Sequence, residues 1–138
     1  MIDRAARDTF ADLITRFVAG EISNDEFEAA IPFSEDAAIF EIYRWGVWFL
    51  YDDLQEYSLS GEAALSPEMQ AIVARWVLFL HTDLEYEWPE PQEITWKTKL
   101  LRRWGIKVAA GPSLLSPTAQ AVWPFANQAQ WDQARYAL

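Results

Sequence analysis

Four amphipathic stripes, each opened by a capping side chain, fill the first 84 residues, and they leave little choice but a helical body. Ala6, Phe10, Leu13, Ile14, Phe17 and Val18 recur at helical spacing, which predicts a helix from Arg4 to about Ala19. Asp3 stands where a cap is needed, and Gly20 supplies a stop. Ser23-Asn24-Asp25-Glu26 reads as a capping box: a hydroxyl for the third helical amide, and a glutamate reaching back. A short helix with Phe27 and Ile31 four apart follows, and Pro32 ends it.

Ser34 is the expected cap of the third helix, with Glu35 and Asp36 favouring its positive end. Ile39, Ile42, Tyr43, Gly46, Phe49 and Leu50 share one face there, and Trp45, Val47 and Trp48 extend the apolar surface round it. So apolar a helix is expected to be central and the most buried. Gly46 costs about 1 kcal/mol relative to alanine in a helix interior, so a close neighbour or a bend is expected beside it. Ser66-Pro67 opens a fourth helix, with Met69, Ile72, Val73, Trp76, Phe79 and Leu80 inward, running to Thr82 or Asp83.

The last third is less regular. Pro89 and Pro91 break any helix, Ile94–Trp104 has helical spacing, and Ile106–Ala109 could be a short strand. Gly111-Pro112 and Ser116-Pro117 mark irregular chain, Trp123-Pro124-Phe125 reads as extended, and Asn127 can cap a final short helix. The expected fold is therefore mainly α: a single-domain bundle of about five helices with an irregular, proline-containing C-terminal third. Residues 1–84 form the helical body, 85–93 a loop and 94–138 a C-terminal wrap, because some 45 residues alone make a marginal core.

Composition narrows function mainly by exclusion. There are no cysteines, so disulfides, thiolate metal sites and a cysteine nucleophile are out. The N-terminus has no apolar signal core, and the strongest apolar runs, Val47–Tyr51 and Trp76–Leu80, are too short to span a bilayer. A cytoplasmic setting is the default expectation. The net charge is −10, unevenly spread: residues 1–93 hold 20 acids and 5 bases, residues 94–138 hold 1 acid and 6 bases. Phosphate contacts dominate nucleic-acid affinity, so so acidic a chain argues against nucleic-acid binding. The basic cluster Lys97, Lys99, Arg102, Arg103 and Lys107 reads as internal neutralisation of the acidic body.

Three candidate sites remain. The first is Asp83, Glu85, Tyr86, Glu87, Trp88 and Glu90, where acids interleaved with aromatics suit a protein interface. A purely solvating acidic face is the plainer reading. The second is Asp52, Asp53 and Glu56 with the single histidine, His81, as ligands for a divalent metal or an acid–base pair. Against it, His81 sits near a helix end with no second histidine at ligand spacing. The third is Asp53 as a buried polar group: extending the third stripe by helical steps points it inward, with Arg44 or Arg75 as donor. Among the eight tryptophans, Trp45, Trp76 and Trp96 suit the core, and Trp88 suits an exposed anchor. No phosphate loop, dinucleotide fingerprint, nucleophile elbow or catalytic Ser/His/Asp set is present, and no cofactor is implied.

Gly20-Glu21-Ile22-Ser23-Asn24-Asp25-Glu26-Phe27, Phe49-Leu50-Tyr51-Asp52-Asp53-Leu54, Arg75-Trp76-Val77-Leu78-Phe79-Leu80, Asp83-Leu84-Glu85-Tyr86-Glu87-Trp88-Pro89 and Trp123-Pro124-Phe125 together resemble a family of small uncharacterised bacterial proteins. That resemblance implies no catalytic residues. In size and charge the chain is also similar to bacterial immunity proteins, which neutralise toxins. The expectation is a protein-binding module, leaning away from catalysis, that blocks a basic toxin through an acidic and aromatic surface. The alternatives are a small metal-binding domain or metal-dependent hydrolase built on Asp52, Asp53, Glu56 and His81, and a homo-oligomeric structural protein.

Overall fold

The computed structural model describes residues 1–87 and 117–136. The helices described there are α1 (Arg4–Val18), α2 (Asn24–Ala30), α3 (Ala37–Trp45), α4 (Pro67–Leu80), α5 (Pro117–Val122) and α6 (Gln128–Tyr136), with short 3-10 turns at Val47–Leu50 and Gly61–Ala63. Among the described residues the only strand-like pairing is one isolated bridge between Ser23 and Ser58. The mainly helical class therefore holds. The segments at 94–104 and 106–109 lie outside the described residues.

Local chemistry accounts for most helix ends. The Asp3 carboxylate accepts from the Ala6 amide at 3.0 Å and opens α1. Gly20 closes it at φ 78°, where a Cβ would also meet the Leu59 carbonyl oxygen at 3.0 Å. The capping box forms in full: the Glu26 amide donates to Ser23 Oγ at 3.1 Å, and the Ser23 amide donates to Glu26 Oε1 at 3.2 Å. Ser66 caps α4, accepting from the Met69 amide at 3.2 Å, and Pro67 takes the first turn. Asn127 opens α6 by accepting from the Gln130 amide at 2.9 Å.

Three expectations need correction. The cap of α3 is Asp36, whose carboxylate accepts from the Ala38 amide at 3.1 Å, and not Ser34. Ser34 Oγ instead accepts from the Asp36 amide at 3.1 Å and donates to Asp3 at 2.9 Å, joining the starts of α1 and α3. Second, α3 does not run on to Leu50. It stops at Trp45, where Gly46 leaves helical geometry at φ −123° and ψ −79° and the chain continues as a 3-10 turn; a Cβ on Gly46 would stand 3.1 Å from the Trp76 ring, so the close approach requires glycine. Third, Trp123-Pro124-Phe125 is a turn with a cis peptide between Trp123 and Pro124, and it follows a short helix, α5.

The central element is α1, and not α3. It buries Ala6, Arg7, Phe10, Ala11, Leu13, Ile14 and Phe17 and packs on α2, α3 and α4. Two aromatic groups flank it. Phe17 stacks on Phe27 at 4.7 Å and meets the edge of Tyr51 at 5.3 Å. On the other side Phe79 meets Phe125 at 5.1 Å and Trp76 meets Trp123 at 5.8 Å, both edge to face. Each such buried phenylalanine contributes about 1.5–3 kcal/mol. Arg75 holds α5 to α4, its Nε donating to the Trp123 carbonyl at 2.7 Å and its Nη2 to the Gln120 carbonyl at 3.2 Å.

A charged residue sits inside this apolar packing. Arg7 is fully buried and Asp36 is 1% exposed. Arg7 Nε donates to Asp36 Oδ2 at 2.6 Å, Nη2 to Oδ1 at 3.1 Å and Nη1 to the Thr82 carbonyl at 2.9 Å. The Asp3 amide adds a donor to Asp36 Oδ2 at 2.9 Å. Burial pushes the Asp36 carboxyl up, but the Arg7 hydrogen bonds, the Asp3 and Ala38 amides and the Arg7 charge outweigh it and hold it below its usual 3.8.

Removing one partner of a buried pair strands the other charge, so Arg7→Ala should cost about 3–5 kcal/mol in chemical denaturation. A loss under about 1 kcal/mol would mean that water reaches the pair. The acid dependence follows from the lowered carboxyl. The stability it contributes is present above its unfolded value near 3.8 and is lost as pH falls through the lower folded value. The stability advantage of the wild type over Asp36→Asn should therefore shrink as acid is added below about pH 4 in urea melts.

Candidate functional site

Two surfaces emerge from this frame. The first lies where α1 and α3 begin and α4 ends. Arg4 donates through Nη1 to the Thr82 carbonyl and to Asp83 Oδ1, both at 2.9 Å, and through Nη2 to the Leu80 carbonyl. The last carbonyls of α4 thus receive guanidinium donors from α1, as helix C-termini favour. Beyond them residues 83–87 form no regular element, and their burial alternates. Asp83, Glu85 and Glu87 face water, and Thr82, Leu84 and Tyr86 are half-buried.

Interleaving of acids and aromatics here is thus a two-sided ribbon, and Tyr86 belongs to the inner side. Its ring meets the edge of Phe79 at 6.3 Å, and its hydroxyl accepts from Trp123 Nε1 at 3.0 Å. Burial pushes the Tyr86 hydroxyl up to about 12, partly offset by the Trp123 donor and reinforced by the nearby Glu41 charge. Two of the outward acids are paired: Asp83 with Arg4 at 2.9 Å, and Glu85 with the Met1 ammonium at 3.2 Å. Both pairs are exposed, so they leave the carboxylates accessible. Trp88 and Glu90 lie outside the described residues.

His81 is the residue that ends α4. Its amide donates to the Val77 and Leu78 carbonyls, and its Nδ1 stands 3.8 Å from Asp8. Asp52, Asp53 and Glu56 belong to another part of the molecule, the loop after the 3-10 turn. Among the described residues no group of three or more acids or histidines is placed to hold a metal ion. The four proposed ligands are not brought together.

Asp53 is exposed as well, which overturns its inward placement. The stripe that pointed it inward is interrupted at Gly46. Arg44 is exposed and lies over the Trp45 ring at 4.6 Å and the Phe40 ring at 5.7 Å, and Arg75 is engaged by the carbonyls of α5.

The loop of Asp52–Tyr57 forms the second surface. Asn24, almost fully buried at the start of α2, organises it. Asn24 Nδ2 donates to the Asp52 carbonyl at 3.2 Å and the Gln55 carbonyl at 3.1 Å, and Oδ1 accepts from the Tyr57 amide at 2.9 Å. The Asn24 amide donates to the Tyr57 carbonyl at 3.0 Å. Within the loop the Asp52 amide donates to the Tyr57 hydroxyl at 2.8 Å and the Leu54 amide to Asp52 Oδ1 at 2.7 Å. Ser23 Oγ donates to Glu56 at 3.0 Å. Behind the loop Tyr51 donates to Glu28 at 2.5 Å and shares a 3.3 Å contact with the Tyr43 hydroxyl. Burial and the Glu28 carboxylate push the Tyr51 hydroxyl far up.

A chain that packs its core this fully still leaves Phe33 (99%), Leu54 (88%), Phe49 (64%) and Trp48 (47%) in water. Phe49, which the sequence pattern assigned to the inward face of α3, and Trp48, assigned to the apolar surface round it, are both exposed on the 3-10 turn that follows Gly46. Residues 17–74, which carry all four of these side chains, hold twelve acids and one base, Arg44. Comparison with family models, with curated proteins and with solved structures found no match to this chain.

The Asn24 side chain satisfies three backbone groups of one loop, so Asn24→Ala should cost about 1–3 kcal/mol and loosen that loop, which would keep only the bond from the residue 24 amide to the Tyr57 carbonyl. Amide hydrogen exchange read over residues 52–57 should accelerate while α1 stays protected. Equal acceleration in both would show that Asn24 supports the whole fold and not the loop.

Proposed function

We propose that this chain is a protein-binding module that engages a basic protein through an acidic surface bearing exposed apolar side chains, as an immunity protein would neutralise a basic toxin. The observation that carries this reading is the coincidence of charge and apolar exposure. Phe33, Trp48, Phe49 and Leu54 stand in water within a stretch of twelve acids and one base. Solvated acidic faces keep a protein soluble, but they gain nothing from a tryptophan, two phenylalanines and a leucine among the acids. Binding surfaces do, because carboxylates steer a basic partner and apolar anchors slow its release.

The ribbon supports the steering half. Asp83, Glu85 and Glu87 add three outward carboxylates at the end of the bundle, and their field extends about 8 Å at physiological salt. Tyr86, half-buried against Phe79 and Trp123, holds this segment to the bundle. The metal reading lacks a convergent ligand set among the described residues. Self-association through the Asp52–Glu56 loop would set its exposed Asp52, Asp53 and Glu56 against their copies, which disfavours it.

The test is capture of partners from the lysate of the native host with the tagged protein, washed at low and then high salt. The expected result is a partner of high isoelectric point. In surface plasmon resonance with that partner, Glu85→Lys with Glu87→Lys should slow association several-fold and leave the melting temperature within about 2 °C. A partner that is acidic, or a rate that is indifferent both to the reversal and to salt, would sink the proposal.

A further inference from the structure

From the loop and its neighbours we infer that the partner is anchored at Trp48, Phe49 and Leu54, by a segment of another protein that carries apolar residues between lysines or arginines. This inference rests on the protein-binding reading and deepens it by naming the surface and the chemistry that fits it.

The first ground is preorganisation. Exposed apolar loop tips normally fluctuate, and ordering them on binding costs affinity. Here the ordering is already present in the free protein. Asn24 holds three backbone groups of the loop with its side chain and a fourth with its amide, and the Asp52 carboxylate and Tyr57 hydroxyl close the turn from inside. Leu54 sits at the tip of that turn, 88% exposed, with no core role that would explain a rigid mount.

The second ground is position. The rings of Trp48 and Phe49 meet edge to face at 5.8 Å, so they form one apolar unit on the 3-10 turn. Five residues of chain reach from Phe49 to Leu54, which limits their separation to about 18 Å even fully extended. All three therefore lie within the reach of one partner segment.

The third ground is charge. From Gly46 to Ser60 there is no lysine or arginine, and Asp52, Asp53 and Glu56 flank the apolar residues, all three exposed. A segment with alternating apolar and basic residues meets both features at once. A second copy of the chain meets only the apolar one, since its own Asp52 and Asp53 would face these.

A fluorescently labelled amphipathic peptide of leucine and lysine serves as probe, with a leucine–glutamate peptide of the same pattern as control. Anisotropy titration should show the wild type binding the lysine peptide and not the glutamate peptide. Leu54→Ser, and Leu54→Ser with Phe49→Ser, should weaken that binding about tenfold or more. Neither substitution alters a charge, so such a loss cannot come from non-specific attraction. The melting temperature should stay unchanged, because both side chains face water. Binding that survives both substitutions but is lost on Glu85→Lys with Glu87→Lys would overturn this surface and leave the protein-binding reading standing. Equal binding of both peptides, or of neither, would overturn the inference and the reading together. A concentration-dependent dimer abolished by Leu54→Ser in sedimentation would place a second copy on the surface and overturn the inference.

Discussion

Burying an arginine in a helical bundle costs several kcal/mol of lost hydration unless its donors find acceptors and its charge finds a partner. Arg7 meets both demands at one point. Asp36 takes two of its N–H groups and Thr82 offers a carbonyl to a third. Those three residues come from the first turn of α1, the cap of α3 and the residue just past α4. Each helix end is therefore placed by the same ion pair. Asp36 is also doubly committed, since the carboxylate that neutralises Arg7 caps α3. α1 is central because its buried apolar face packs on α2, α3 and α4, and the pair ties the starts of α1 and α3 and the end of α4 together at one end of it.

The surface features follow from the same geometry. The end of α4 is held against α1 by Arg4 and Arg7, and in the chain leaving it burial alternates from residue to residue. Alternation then sends Asp83, Glu85 and Glu87 outward and Tyr86 in towards Phe79 and Trp123. At the start of α2, Asn24 plays a comparable part with neutral groups, collecting the polar backbone of the loop that a bend at Gly46 has released. One buried polar residue thus orients helices, and another shapes a loop. In both places the polar groups are satisfied, as a low-dielectric interior requires.

Acidity and apolar exposure are usually opposed on a protein surface, because carboxylates solvate and apolar groups associate. Their coexistence around residues 48–56 is the feature on which the proposed binding role rests. In that proposed role charge would act at a distance, indifferent to detailed fit, whereas Trp48, Phe49 and Leu54 would act only on contact. Steering can therefore be shared over the acidic body while the energy of anchoring is concentrated in a few side chains.

Features that depend on residues three or four apart were legible in the sequence. Asp3, Ser23 with Glu26, Ser66 with Pro67, and Asn127 all cap helices as their local patterns imply, because a cap contacts only its own first turn. The stripes of α1 and α4 likewise declared their buried faces. What the sequence could not show was which positions another element covers. Arg7 falls within the apolar stripe of α1, but nothing local shows what partner an arginine there would find, or why Asp36 is buried and Glu35 exposed; contacts across 29 residues of chain make the difference. The end of α3 at Gly46, packed against the Trp76 ring, was not legible in the periodicity, and with it went the exposure of Phe49 and Asp53. Periodicity determined the helices and their faces, since it reports on geometry within a turn. Burial, ion pairing and the presented surface were decided by packing between turns distant in sequence, where desolvation and steric contact select one arrangement.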